Sequence, residues 1–139
     1  MFITQIEEHD EYRETLLSLI DKMPESSYEA ITKTDWMLPK DSPREYLDMF
    51  YQEILGGKNK YMEHQGEFLK ANTWDISNGW FQQYKDNSQH GWHNHGGANF
   101  TSVYFLELPD CEARTELKDV EYDAKEGYMI TFPATMSHR

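Results

Sequence analysis

The stretch WHNHGGANFTSVYFLELPD, residues 92–110, contains the pattern that decides the fold. His93 and His95 stand two positions apart, two glycines follow, and the chain then continues as FTSVYFLEL, residues 100–108. Aromatic and β-branched side chains are enriched in strands, and glycine-containing breaks separate one strand from the next. The stretch therefore predicts a β-strand that follows a turn, with a histidine pair just ahead of that turn.

Similar short runs occur on both sides of this stretch and extend the β character from about residue 66 to the end of the chain. Breaks such as DNSQHG, LPDCE and DAKEG separate these runs. Their spacing predicts an all-β sandwich or barrel over residues 66–139. The further strand candidates are WFQQYK (80–85), ARTELKD (113–119) and GYMITFP (127–133).

The first 60 residues have a helical pattern instead. In QIEEHDEYRETLLSLIDKM, residues 5–23, apolar side chains recur at helical spacing, and Pro24 ends the run. In the second candidate, residues 38–57, Ser42 can cap the helix, Pro43 fits its first position and two glycines end it. We therefore predict one domain over residues 1–139, of mainly β (α+β) class, with a helical section at 1–60.

Composition excludes several classes of function. The formal net charge is −12, so there is no cationic surface to bind phosphate backbones, and a nucleic-acid partner is not expected. The chain has one cysteine, Cys111, and its first residues lack a signal-peptide pattern. No apolar run approaches the roughly 20 residues that span a bilayer. We expect a cytoplasmic protein that has no membrane partner.

The histidines are the candidate metal ligands. Alternate side chains of a strand point to the same face, so His93 and His95 can reach one ion, and His138 follows a later strand-like run. Three protein ligands leave coordination positions open, but imidazole suits iron, zinc, copper and nickel alike. On a regular strand the side chain of His90 would point to the face opposite to that of His93 and His95, so we expect His90 to be a loop or rim residue. The alternative is that the pair is merely polar and binds nothing.

Two segments together resemble a known family. WHNHGGANFTSVYFLELPD, followed by EGYMITFPATMSH (126–138), is similar to the iron(II)/2-oxoglutarate-dependent oxygenases, in particular their small prolyl-hydroxylase-like branch with phage and marine bacterial members. The similarity covers about residues 78–139 and includes the H-x-H, the strand after it, an acidic residue with glycine, and F-P-x-x-x-x-H. It implies a double-stranded β-helix (jelly roll) and hydroxylation of a substrate with iron(II) and 2-oxoglutarate.

The resemblance also implies roles for single residues. His93 and His138 match the two histidine ligands, whereas His95 stands where the family most often has Asp or Glu. Tyr84 and Tyr104 match tyrosines that contact 2-oxoglutarate. The alternative for both tyrosines is that they are core aromatics of a β-sandwich.

One departure concerns the anchor of the co-substrate. In the family, an Arg or Lys on the strand after the distal histidine pairs with the far carboxylate of 2-oxoglutarate, and the sequence stops at Arg139, one residue past His138. Either the sequence is truncated or the protein lacks this co-substrate anchor, and for the sequence as it stands we expect a jelly roll without its last strand. A missing strand exposes a sheet edge, which we expect a homodimer contact to cover.

The sequence is compatible with three functions. The first is an oxygenase that hydroxylates an unknown small-molecule or peptide substrate. The second is a non-catalytic or cupin-like jelly-roll module with a three-histidine metal site. The third is a structural or interaction domain without a metal.

Overall fold

The computed structural model describes residues 1–56, 75–109 and 114–139, and its regular elements are short. In chain order they are β1 (Phe2–Gln5), α1 (His9–Asp21), β2 (Lys33–Thr34), α2 (Glu45–Met49) with a π-helical continuation (Phe50–Gly56), β3 (Gln82–Gln83), β4 (Phe100–Tyr104) and β5 (Tyr128–Pro133). Small antiparallel sheets and two helices make this an α+β arrangement, as the sequence predicts.

Strand β5 is the central strand of a three-stranded antiparallel sheet in the order β1-β5-β4. Phe100 of β4 pairs with Pro133, and Phe2 of β1 pairs with Thr131. Four consecutive residues of β5, Met129 to Phe132, are at most 1% exposed. Both faces of β5 are therefore covered, which explains why its sequence shows an apolar run rather than strict alternation.

Strand β1 corrects the prediction that residues 1–60 are helical. Phe2–Gln5 is extended and hydrogen-bonded along β5, and the backbone N–H of Ile6 donates to the carbonyl of Gly127 at 2.8 Å. The run FITQ has the β-branched character of a strand, but it is too short to be separated by periodicity from the helix that follows. Its conformation is decided by pairing with β5, more than 120 positions away.

The two predicted helices are present with different bounds. Helix α1 ends at Asp21, ahead of Pro24 as expected. Helix α2 begins at Glu45 rather than at Pro43, so the predicted Ser42 cap is wrong. Arg44 occupies the N-cap position with φ −134° and ψ 74°, and no side chain caps the helix. The guanidinium of Arg44 instead donates to the carbonyls of Lys40 and Ser42 in the preceding loop.

Two predicted strands are reduced in length. Within residues 80–85 only Gln82–Gln83 is a strand, paired with Lys33–Thr34. In the described part of the candidate at 113–119, Leu117 forms isolated bridges with His138 and Val120 and no continuous strand. The other candidates, 100–108 and 127–133, each contain an observed strand, and Gly127 has a φ of 81°, which suits the predicted turn.

The contacts divide the chain into two compact units, residues 1–13 with 91–139 and residues 14–90. The first contains a core of Phe105, Leu117, Ile130 and Phe132. The second contains buried apolar residues of its own, among them Leu16, Ile20, Ile31, Tyr46, Ile54 and Phe81. That the whole chain is a single domain stays a prediction. No helix in the described ranges has the length and apolar character needed to cross a bilayer.

Candidate metal centre

Backbone pairing brings the histidines of the first unit together. His93 and His138 form an antiparallel bridge in which each backbone N–H donates to the other's carbonyl at 2.9 Å. The N–H of His95 donates to the carbonyl of Ala134 at 2.8 Å. The segment 93–95 thus lies along the turn that follows β5. This placement is the one that the H-x-H and the distant F-P-x-x-x-x-H predict.

The three imidazoles converge on one point. One ring nitrogen from each of His93, His95 and His138 lies within 4.8 Å of the other two. The ring centroids are 4.2 to 5.1 Å apart. Metal–nitrogen bonds of about 2.1 Å would place the nitrogens roughly 3 to 3.4 Å apart, so small side-chain rotations suffice to close the site on an ion. In the described residues this is the group of histidine, cysteine and acidic side chains that fits a metal.

Hydrogen bonds to carbonyls select the nitrogen that faces the ion. Nδ1 of His93 lies 2.8 Å from the carbonyl of Gly91, and Nδ1 of His138 lies 3.0 Å from that of Met136. A carbonyl only accepts, so Nδ1 carries the proton in both rings and donates. Nε2 of each neutral ring then keeps its lone pair, as a metal ligand requires. Both rings are therefore held in a ligating tautomer by their own local backbone.

The site has an apolar side. His138 is 4% exposed, and its ring packs against the ring of fully buried Phe132 with centroids 4.9 Å apart. His93 and His95 are half-buried. An ion held here would have apolar packing behind His138, and the three ligands would leave further coordination positions free for water or substrate.

Arg139 is engaged beside the site. Its Nη2 pairs with Glu116 at 2.9 Å, and its guanidinium lies 4.9 Å from the centroid of the exposed Trp92 ring. Arg139 and Glu116 also exchange backbone hydrogen bonds. The side chain of Arg139 therefore stabilises the pairing of the 116–118 segment with the chain end.

Tyr104, the predicted co-substrate tyrosine on β4, has a protein partner. Its hydroxyl lies 2.6 Å from Nδ1 of His9. Burial, with the nearby Glu126 carboxylate, raises the pKa of Tyr104 well above its usual value, so the hydroxyl keeps its proton while it shares a hydrogen bond with Nδ1 of His9. Nε2 of His9 then faces Glu126 at 3.5 Å.

Tyr84 and His90 belong to the second unit. The hydroxyl of Tyr84, which is an exposed residue, donates to the side-chain carbonyl of Gln82 at 2.9 Å. A role for Tyr84 in co-substrate binding stays a prediction. His90 lies 3.5 Å from Glu29, and its ring nitrogen Nδ1 is 3.4 Å from the amide nitrogen of Gln82. His90 thus has polar partners of its own, in keeping with its exclusion from the ligand set.

No sequence pattern indicates the ionic cluster around His9. Arg13 donates to Glu126 at 2.8 Å and to Glu107 at 2.9 Å. The backbone N–H of Leu108 and Arg13 hold the pKa of Glu126 below its usual value. These residues lie at opposite ends of the sequence, and no local pattern connects the start of α1 with the turn before β5.

Comparison of the chain with models of protein families, with curated proteins and with solved structures gave no match. The features that bear on function are therefore the geometry of the three histidines and the resemblance of the two sequence segments.

Proposed function

We propose that the protein is an iron(II)- and 2-oxoglutarate-dependent oxygenase that hydroxylates a small-molecule or peptide substrate. The convergence of His93, His95 and His138 is the observation that carries the proposal. Three protein ligands on one side of an ion would leave coordination positions open for a co-substrate. The similarity of the two segments to this oxygenase family supports the choice of iron over the other metals that imidazole binds.

Each residue of the site has a defined task in this proposal. One ring nitrogen of each histidine would hold the ion, and the carbonyls of Gly91 and Met136 keep the rings of His93 and His138 oriented. When bound, iron with 2-oxoglutarate supplies the oxidising power for C–H hydroxylation, with succinate and carbon dioxide as co-products. Tyr104 and Tyr84 would contact the co-substrate, and Tyr104 would exchange its bond to His9 for one to a carboxylate.

The jelly-roll fold, a contact between two copies and the cellular location belong to the same proposal. The three-stranded sheet would be part of a jelly roll, and a contact between two copies would cover one of its edges. A cytoplasmic location would suit iron(II), which needs a reducing environment.

A metal-binding module without catalysis is the second candidate. Two observations favour it. The ligand set is three neutral imidazoles without a carboxylate, and the hydroxyl of Tyr104 is already bonded to His9. Such a module would bind a divalent ion in the same place and would not consume 2-oxoglutarate.

Succinate formation separates the two candidates. The protein is loaded with iron(II) anaerobically, and succinate is measured after addition of 2-oxoglutarate and air, with candidate substrates present. Oxygenase activity predicts succinate from the parent protein and from His90→Ala, and none from His138→Ala. Stoichiometric iron binding without succinate above the level of His138→Ala would reject the oxygenase and leave the binding module.

A further inference from the structure

The second unit contains a cavity of about 330 Å³, and its lining includes none of the three candidate metal ligands. Its lining includes Asp35, Trp36, Lys40, Arg44, Asn78 and Trp80. Cavities that hold small molecules range from about 300 to 1,000 Å³, so this one has the size for a small compound rather than for a polymer. We propose that it binds a small aromatic carboxylate.

Buried hydrogen bonds hold one wall of the cavity rigid. The carboxylate of Asp35, which is fully buried, accepts from Nε of Arg44 at 2.7 Å, from the hydroxyl of Tyr46 at 2.6 Å and from the backbone N–H of Phe81 at 3.0 Å. The remaining guanidinium N–H groups of Arg44 donate to backbone carbonyls from residue 35 to residue 42. The wall is therefore formed before any ligand arrives, which lowers the cost of binding.

Two tryptophans supply the ring-binding surface. The rings of Trp36 and Trp80 are 4.5 Å apart at 64°, and Trp36 remains 40% exposed. Gly79 lets the backbone before Trp80 lie close to Tyr51 and Leu47. A Cβ at this position would lie 2.3 Å from the hydroxyl of Tyr51 and 2.9 Å from Cδ1 of Leu47. An indole that stays open to solvent inside a cavity can stack against a flat ring.

Charge decides which flat ring is favoured. Asp35 and Arg44 neutralise each other, and Lys40 is the third charged residue of the lining. Among the described residues the ammonium of Lys40 has no carboxylate partner, although the chain as a whole carries a net charge of −12. The cavity is thus locally cationic in an acidic protein. One anionic group on the ligand can pair with Lys40, while the amide of Asn78 can bond to a polar substituent.

Three indole compounds that differ in charge test the proposal. Indole-3-acetate, neutral indole-3-ethanol and cationic tryptamine are titrated into the protein, and the indole N–H signals of Trp36 and Trp80 are followed by NMR. We expect both signals to shift, with indole-3-acetate binding about two- to fivefold more tightly than indole-3-ethanol at low salt, as for an exposed ion pair. Tryptamine should bind most weakly.

Two substitutions separate the contributions of charge and ring. Lys40→Met keeps the length of an exposed side chain, so it should leave the fold intact and remove the preference for the acetate. Trp36→Ala should remove binding of all three compounds. The proposal is overturned if none of the compounds shifts Trp36 and Trp80 at millimolar concentration, if all three bind equally, or if Lys40→Met keeps the preference. Since no metal is involved, these outcomes are independent of succinate formation.

Discussion

At the scale of single residues, carbonyls and N–H groups of the backbone fix the polar side chains that matter most. The rings of His93 and His138 donate to carbonyls two residues before them, and the carboxylate of Asp35 accepts the N–H of Phe81. A partner on the backbone cannot rotate away, so each side chain keeps one orientation. The candidate metal centre and the cavity are both organised in this way.

Substitution of His95 tests the tolerance of the site for a carboxylate. His95→Asp would form two histidines and one carboxylate, and we expect iron(II) affinity to be kept because the added negative charge offsets the charge of the ion. His95→Ala should lower affinity more than about 100-fold, since even loss of an orienting partner costs 10- to 100-fold. Competition with a chelator measures both. Equal affinities of His95→Ala and the parent would remove His95 from the ligand set.

Asp35→Asn tests the buried network of the second unit. The change keeps the shape and removes the charge that pairs with Arg44, whose side chain is 13% exposed. Breaking one partner of a buried ion pair costs about 3 to 5 kcal/mol. Asp41→Asn, the same change at an exposed position, should cost about 0.5 kcal/mol or less. Urea unfolding of both variants measures the difference, and equal midpoints would show that the network does not stabilise the fold.

At the scale of elements, β5 connects the core with the histidine site. Residues Met129 to Phe132 are buried, and the same strand pairs with β1 and β4. The turn after β5 then supplies the carbonyl of Ala134 to His95 and leads to His138. The position of the three histidines therefore depends on how well β5 is packed.

Phe132→Ala tests this dependence. The ring is fully buried and touches His138, so its removal should destabilise the fold by about 3 to 5 kcal/mol. Phe100→Ala, on β4 opposite Pro133, removes a ring that is 38% exposed and should cost about 1 kcal/mol or less. Urea unfolding provides the comparison. A Phe132→Ala variant as stable as Phe100→Ala would show that the core beside His138 contributes little.

The elements that could be predicted from the sequence are those with a strong local pattern. The strand in FTSVYFLEL, the strand in GYMITFP and the helix before Pro24 are of this kind. Strand β1 could not be identified because a four-residue strand is defined by its partner. The π-helical continuation after Met49 could not be predicted from the sequence either, since it differs from an α-helix only in which residues its backbone hydrogen bonds connect.

The candidate site likewise contains residues that local sequence patterns predict and residues that they do not. Alternation in H-x-H and the distant histidine predict the ligand set, and the structure brings all three side chains together. Sequence periodicity did not indicate the partner of Tyr104 or the Asp35–Arg44 pair. Each of these contacts joins a loop or helix end to a residue that tertiary packing brings close. Local patterns thus identify the candidate ligands more readily than they identify the residues that orient polar side chains by tertiary packing.

At the scale of the whole molecule, acidity is the dominant electrostatic property. The chain carries a net charge of −12, which favours the approach of divalent cations and opposes binding of polyanions. Acidic residues contribute to stability where they are paired, as Glu126 is with Arg13 and with the N–H of Leu108.

The pH dependence of stability tests the contribution of Glu126. Its pKa is lowered in the folded protein from the ordinary 4.5, so the stabilisation is complete above pH 4.5 and is lost as pH falls through the lower folded value. Glu126→Gln should be less stable than the parent at neutral pH, and the difference should shrink below pH 4.5. Urea unfolding across this range measures it. A difference that is constant with pH would assign the effect to shape rather than charge.

Metal analysis of the protein after anaerobic loading with iron(II) and removal of free ions tests the central claim most directly. Circular dichroism first establishes that His138→Ala and His90→Ala are folded like the parent. The three-histidine site predicts about one iron ion per chain in the parent and in His90→Ala, and almost none in His138→Ala. Equal iron content in the parent and His138→Ala, or no iron in the parent, would contradict the account.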